Sequence, residues 1–221
     1  MDIPCPPEAV NAVTDPTDPD TLPRDHTQAI LETTKRVASL LKESGVPFAL
    51  AGSVAAFAHG VPARFRHDTD FCLMRQDADA AVKALAAGGI TPVDAPEDWL
   101  LKARDGEEEI DLILDTAGRP VDEDLLQRAE LRAVDSVRMP VLAPTDLMDS
   151  RLNALCEHYC DFADLLPMAR MLRERIDWAH LDRRYRNRPL PDSFLYLLER
   201  MQVIEPREEA RRDPAPQRDD A

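Results

Sequence analysis

Two aspartates, Asp68 and Asp70, flank one threonine in His67-Asp-Thr-Asp-Phe-Cys-Leu-Met74. Carboxylates at i and i+2 of a strand project from one face, and their hard oxygens suit Mg2+. A third carboxylate on a neighbouring strand completes a set for two ions. Asp111 is the candidate, framed by apolar residues in Glu109-Ile-Asp-Leu-Ile-Leu114, with Asp115 on the same face. Upstream, the run Leu50-Ala-Gly-Ser-Val-Ala-Ala-Phe-Ala-His-Gly60 stops at Gly52-Ser53 and restarts as a small-residue helix. Such a turn offers free N–H groups to an anion, glycine lets a phosphate approach the backbone, and the serine hydroxyl adds a donor. Arg64 and Arg66 lie between the two motifs and either grip phosphate or are ordinary loop charges. The chemistry this combination points to is nucleotidyl transfer: a triphosphate held at Gly52, Ser53 and Arg66, metal ions on Asp68, Asp70 and Asp111, and an acceptor hydroxyl placed in line with the α-phosphorus.

These residues need strands and helices to hold them. Apolar positions from Asp25 to Ser44 recur with helical spacing, with Asp25 or Thr27 as cap and Gly45 as the stop. Val46–Ala51 reads as a buried strand, Val54–His59 as a helix, Asp68–Met74 as a strand and Gln76–Ala87 as a helix. Trp99–Arg104 and Glu109–Leu114 read as strands joined at Asp105-Gly106, a hairpin signal. Lys102 and Arg104 on that hairpin face either the site or water. Residues 122–138 combine a short helix with a strand near Val134–Val137, and Met139–Leu142 is a final short strand. Pro144 fits the first position of a helix. Residues 144–157, 160–174, 177–186 and 192–203 all read as helices, with breaks near His158, Asp177 and Pro189-Leu-Pro191.

The organisation expected is a flexible leader (1–24), an α/β core (25–143), a C-terminal helical region (144–204) and a disordered tail (205–221). The leader and tail are rich in Pro, Asp and Glu and poor in apolar residues. Across 221 residues, 42 acidic side chains against 27 basic ones give a net charge of −15, which excludes a generally basic nucleic-acid binder. The one basic concentration is Arg170–Arg188, either a solvated helix face or a surface for an acceptor RNA or partner. Four cysteines (Cys5, Cys72, Cys156, Cys160) are too few for a disulfide framework. Cys156 and Cys160 fall four apart and read as buried thiols rather than zinc ligands, since no second pair of ligands appears; Cys72 reads as buried beneath the metal face. No run is long and apolar enough to span a bilayer and no signal peptide is evident, so a cytoplasmic protein without a membrane partner is expected.

Gly52-Ser53, then Asp68-Thr-Asp70, then Asp111, each with apolar flanks, resembles the nucleotidyltransferase fold superfamily shared with DNA polymerase β, over about residues 28–165. In detail the stretch is similar to small bacterial nucleotidyltransferase-like proteins: AbiEii-type toxins, minimal nucleotidyltransferase antitoxins and aminoglycoside nucleotidyltransferases. The resemblance implies an α+β fold, a mixed β-sheet core with flanking helices followed by a C-terminal helical bundle. It implies that Ser53 contacts the triphosphate and that Asp68 and Asp70 bind metal. Asp111 would bind the catalytic metal and assist deprotonation of the acceptor. Toxin-like members carry a nucleotide-binding lysine on the helix after the sheet, followed by an acid. Here Arg151 takes the lysine's place, and Asp161 or Asp164 the acid's. Arginine can hold phosphate but cannot shuttle a proton. The activity implied is Mg2+-dependent transfer of a nucleoside monophosphate from an NTP to a hydroxyl of RNA (tRNA in the toxin-like case), protein or a small molecule, in a toxin–antitoxin setting with a cognate toxin or antitoxin partner. The alternative is an antitoxin or binding partner with little or no catalysis.

Overall fold

The computed structural model describes residues 24–62, 65 and 68–206. Nearly all of the expected leader and tail lies outside the described residues, as do Arg64, Arg66 and His67. The chain is a mixed α+β structure built on a seven-stranded sheet. The strands are β1 (Phe48–Leu50), β2 (Asp68–Leu73), β3 (Thr91–Val93), β4 (Leu100–Asp105), β5 (Glu108–Ile113), β8 (Glu130–Val134) and β9 (Val137–Val141), in the order β3-β4-β5-β2-β1-β9-β8. A separate two-stranded ribbon joins β6 (Asp115–Thr116) to β7 (Arg119–Pro120).

Eight α-helices occur among the described residues: α1 (Arg24–Glu43), α2 (Gly52–Ala58), α3 (Ala78–Ala87), α4 (Glu123–Gln127), α5 (Pro144–Ala154), α6 (Phe162–Met171), α7 (Trp178–Tyr185) and α8 (Pro189–Arg200). Helix α1 packs on β2, β5 and α3. Its Thr34 hydroxyl donates to Ile30 O at 2.7 Å and meets the Thr69 hydroxyl at 2.8 Å, both threonines being buried. That contact fixes the faces of β2. Thr69, Phe71 and Leu73 point at α1 and lie in the core, so Asp68, Asp70 and Cys72 point to the other side. Helix α2 packs on β2 and on α5.

Several boundaries differ from those the sequence suggests, each for a local reason. Helix α1 runs through Asp25 and Thr27 rather than being capped by them. Helix α2 begins at Gly52, so the Gly-Ser pair is its first turn instead of a preceding loop. Arg75–Asp77 forms a 3-10 turn and α3 proper starts at Ala78. Strand β3 contains Pro92, which masks it in the sequence; it pairs only with β4 and lies at the sheet edge, where a missing N–H is tolerated. The supposed strand Val134–Val137 is a hairpin turn between β8 and β9, with Asp135 at φ +51°. Helix α5 stops at Ala154, and Cys156 and Tyr159 then form an isolated bridge. Cys156 and Cys160 therefore share no helical face; Cys156 is disulfide-bonded and Cys160 is exposed, so neither is a buried thiol. Pro189-Leu-Pro191 is the first turn of α8 and not a break, because early helical positions need no N–H donor.

Candidate active site

Parallel pairing of β2 with β5 sets Asp68 opposite Glu109 and Asp70 opposite Asp111. Opposed residues share a face, so the two acids of β2 and one of β5 converge. Asp68, Asp70 and Asp111 each offer a carboxylate oxygen within 4.8 Å of the others. Asp111 is 7% exposed, while Asp68 and Asp70 are half-buried at the open end of the row. Asp115, the other acid expected on this face, turns off into β6 and pairs with Arg75 at 3.0 Å, outside the cluster.

Strand β1 brings the Gly-Ser turn to the same place. It runs antiparallel to β2, and the pairing ends with Ala51 N–H donating to Asp70 O at 2.8 Å. Gly52 follows at φ +66°, and a Cβ there would stand 1.7 Å from Asp70 Oδ2. Only glycine satisfies both the left-handed backbone and the carboxylate pressed against it. Ser53 Oγ is buried without a hydrogen-bond partner among the described residues. A lost hydrogen bond to a buried hydroxyl is costly, so this atom fits a site whose remaining acceptor is a ligand.

On its third side the cluster meets a cation. Lys102 of β4 lies in register with Asp111, and its Nζ is 3.9 Å from Asp111 Oδ1. Arg104, two residues on, pairs with Glu109 at 2.6 Å. Beneath the acids Cys72 is fully buried as expected. Burial pushes its thiol far up, and the Asp70 and Asp146 carboxylates push it further, so it stays protonated.

Helix α5 packs on α2, the helix that opens at Gly52, and carries Asp146 in its first turn. Asp146 accepts from Arg128 Nε and Nη2 at 3.2 and 2.9 Å. One turn on, Asp149 is 1% exposed. It accepts from the Tyr185 hydroxyl at 2.6 Å and pairs with Arg184 Nε at 2.9 Å. Arg119 of β7 stands 3.7 Å from Asp146 and 3.6 Å from Asp149. This network was not anticipated. Its only trace in the sequence is two acids three apart between Pro144 and Leu152, which are neighbours on a helix.

Arg151 lies more than a turn beyond Asp146, in the last turn of α5, and makes no hydrogen bond or ion pair among the described residues. Asp161 caps α6 by accepting from Ala163 N–H at 2.9 Å, a structural task. The arginines from Arg170 to Arg188 are exposed apart from Arg188, and most of them have a partner. Arg175 pairs with Glu130 at 2.7 Å, Arg186 with Asp182 at 3.1 Å, and Arg188 donates to Asn153 Oδ1 at 2.7 Å. Arg184 and Arg188 also lie 5.6 and 5.4 Å from the Tyr185 ring centre. Arg170 and Arg183 make no hydrogen bond or ion pair among the described residues.

The donor set fits Mg2+: three carboxylates on rigid strands offer hard oxygens and open coordination positions for water or phosphate.

No protein-family model matches the sequence, and no curated protein matches it. Among solved structures, ANT(2″)-Ia in complex with adenylyl-2″-tobramycin is similar at 10% identity and TM-score 0.53, over 80% of this chain and 99% of that one. The lincosamide antibiotic adenylyltransferase LnuA, lincomycin-bound, is 12% identical over 69% of this chain and 98% of its own, at TM-score 0.44. An antigenic nucleotidyltransferase-like protein from Paracoccidioides brasiliensis is 17% identical over 76% and 93%, at TM-score 0.46. The first of these carries the comparison, and what it shows is the fold: this chain has the nucleotidyltransferase fold.

Proposed function

We propose that this chain, which has the nucleotidyltransferase fold, is a Mg2+-dependent nucleotidyltransferase that moves a nucleoside monophosphate from an NTP to a hydroxyl. The observation that carries the reading is the in-register row Asp68, Asp70, Asp111, with Gly52 pressed against it. Asp68, Asp70 and Asp111 would hold two ions, which when bound neutralise the triphosphate and polarise the α-phosphoryl group. The Gly52 backbone admits a phosphate, and the Ser53 hydroxyl donates to it. Arg66 is a further candidate for phosphate, lying outside the described residues. Arg151 is another, in the last turn of α5. The acceptor oxygen attacks the α-phosphorus in line. The bond from the α-phosphorus to the bridging oxygen breaks, pyrophosphate leaves, and the hydroxyl proton passes to the Asp111 carboxylate.

RNA, including tRNA, protein and small alcohols are the acceptor classes to be separated. Arg175, Arg184 and Arg186 are paired with acids and Arg188 bonds Asn153, which reduces but does not remove the charge that this exposed stretch offers a polyanion. A toxin–antitoxin setting rests on sequence resemblance alone. A second reading is a binding partner without turnover, favoured by one observation: a cation, Lys102, already stands 3.9 Å from Asp111.

The test incubates the protein with each α-labelled NTP, Mg2+ and, separately, total RNA, cell protein and a panel of small alcohols. Label is expected in one acceptor class, with loss of transfer in Asp68→Ala/Asp70→Ala. Absence of labelled acceptor in every arm, with retained NTP binding, points to the binding-partner reading and overturns the enzymatic one.

A further inference from the structure

The row of opposed residues that makes the acid cluster does not end at Asp111. It continues into β4, where Lys102 is in register with Asp111, as Asp111 is with Asp70. Lys102 therefore shares the acidic face. Its side chain is 24% exposed and that of Asp111 is 9%, and Nζ comes to 3.9 Å from Asp111 Oδ1. The neighbours of Lys102 on the strand, Leu101 and Ala103, point to the opposite face, and Ala103 is buried. A lysine held here meets two opposing demands. Three clustered carboxylates repel one another and need a counter-charge. A fixed positive charge at the same place repels a divalent ion that the carboxylates would otherwise bind.

The conflict resolves if the ammonium can move. Lysine is a point charge on a flexible stem, and the stem enters from β4, beside the carboxylate and not between the three. We infer that Lys102 is a positioning residue of this site: its ammonium holds the Asp111 carboxylate in place before metal arrives, and couples metal binding to nucleotide by transferring to a phosphate oxygen when both bind. The inference rests on the nucleotidyltransferase reading and deepens it. Metal alone must displace a cation from Asp111; metal with a triphosphate need not, because the phosphates take that cation up. The acidic cluster is then a weak metal site by itself and a strong one only with substrate.

The experiment titrates Mn2+ against the full chain and reads free ion by electron paramagnetic resonance, with and without a non-hydrolysable NTP analogue. Wild type is compared with Lys102→Met, Lys102→Gln and Lys102→Arg, each shown to be folded by circular dichroism. Without nucleotide, the two neutral variants are expected to bind Mn2+ about tenfold more tightly than wild type, one unit charge at this range being worth on the order of one pK unit. The improvement in Mn2+ affinity on adding nucleotide shrinks in both by a similar factor, and Lys102→Arg stays near wild type. Neutral variants that bind Mn2+ no more tightly than wild type overturn the inference, as does Lys102→Arg behaving like them. If wild type takes up no Mn2+ even with nucleotide, the metal reading of the cluster falls as well.

Discussion

Substituting Gly52 by alanine tests whether the Gly-Ser turn and the acids are one device. The added Cβ would stand 1.7 Å from Asp70 Oδ2, against a non-bonded contact of about 3.5 Å. Either the carboxylate or the turn must retreat by well over 1 Å. Asp70 cannot move freely, because β2 is held between β1 and β5. Its side chain must leave the rotamer that faces Asp68 and Asp111. A misplacement of about 1 Å in a catalytic constellation costs roughly 100-fold in rate, so turnover is expected to drop by about 100-fold or more. Backbone strain contributes separately, since a left-handed alanine costs about 1–2 kcal/mol. Gly45→Ala isolates that second effect: Gly45 has φ +75° and no atom within 4 Å of its would-be Cβ. Thermal denaturation and nucleotidyl transfer are measured for both. Both variants are expected to lose stability, Gly52→Ala the more because of the added clash, and only Gly52→Ala to lose activity and Mn2+ affinity. Near-wild-type turnover in Gly52→Ala, or equal losses in both, would refute the steric link between the turn and Asp70.

Other consequences are open to measurement. Tyr185→Phe removes the donor to the buried Asp149 carboxylate and is expected to destabilise the fold by about 1.5–3 kcal/mol in urea denaturation; a loss under 0.5 kcal/mol would show that Arg184 and Arg119 suffice. His59 donates from Nε2 to Leu142 O at 2.8 Å, its Nδ1 is buried without a partner, and burial lowers its pKa from the ordinary 6.5. The unfolded chain then takes up the proton first, so this contribution is complete above about pH 6.5 and diminishes as pH falls towards the folded value. The slope is at most about 1.4 kcal/mol per pH unit. His59→Gln should flatten that part of the stability–pH curve, and an unchanged slope would exclude His59 as its source. Cys160 should react with iodoacetamide in the native protein while Cys72 does not; mass spectrometry finding rapid alkylation of Cys72 would contradict its burial.

The site was legible where side-chain period and chemistry coincide. Asp68 and Asp70 at i and i+2, and Asp111 between apolar residues, announce a shared face whatever the sheet order, and β2 and β5 do pair with Asp70 opposite Asp111. Lys102 could not be assigned from sequence. Its face depends on register with a partner strand, and a slip of one residue reverses it. Asp146, Asp149 and Arg119 escaped for a similar reason: they meet across α5 and the β6–β7 ribbon, which the sequence does not reveal as neighbours. Elements failed mainly at prolines. Pro92 hides an edge strand and Pro189 a helix start, because proline reads as a break until its position within the element is known. The Arg-rich stretch shows the limit of counting charge, since composition cannot say that Glu130, Asp149 and Asp182 lie within reach.

Parallel pairing of β2 with β5 also dictates when the acidic cluster can exist during folding. Helix α3 and the β3–β4 segment intervene, so the two strands cannot zip from a shared turn as a hairpin does. Like charges set opposite each other oppose closure, and here they gather at the seam that must close over the longest intervening chain within the acidic row. The row is therefore a latch fastened late, after the β4–β5 hairpin has brought Lys102 beside Asp111. Until that seam closes, β5 is paired with β4 alone, and its edge towards β2 stays open along Ile110 and Leu112.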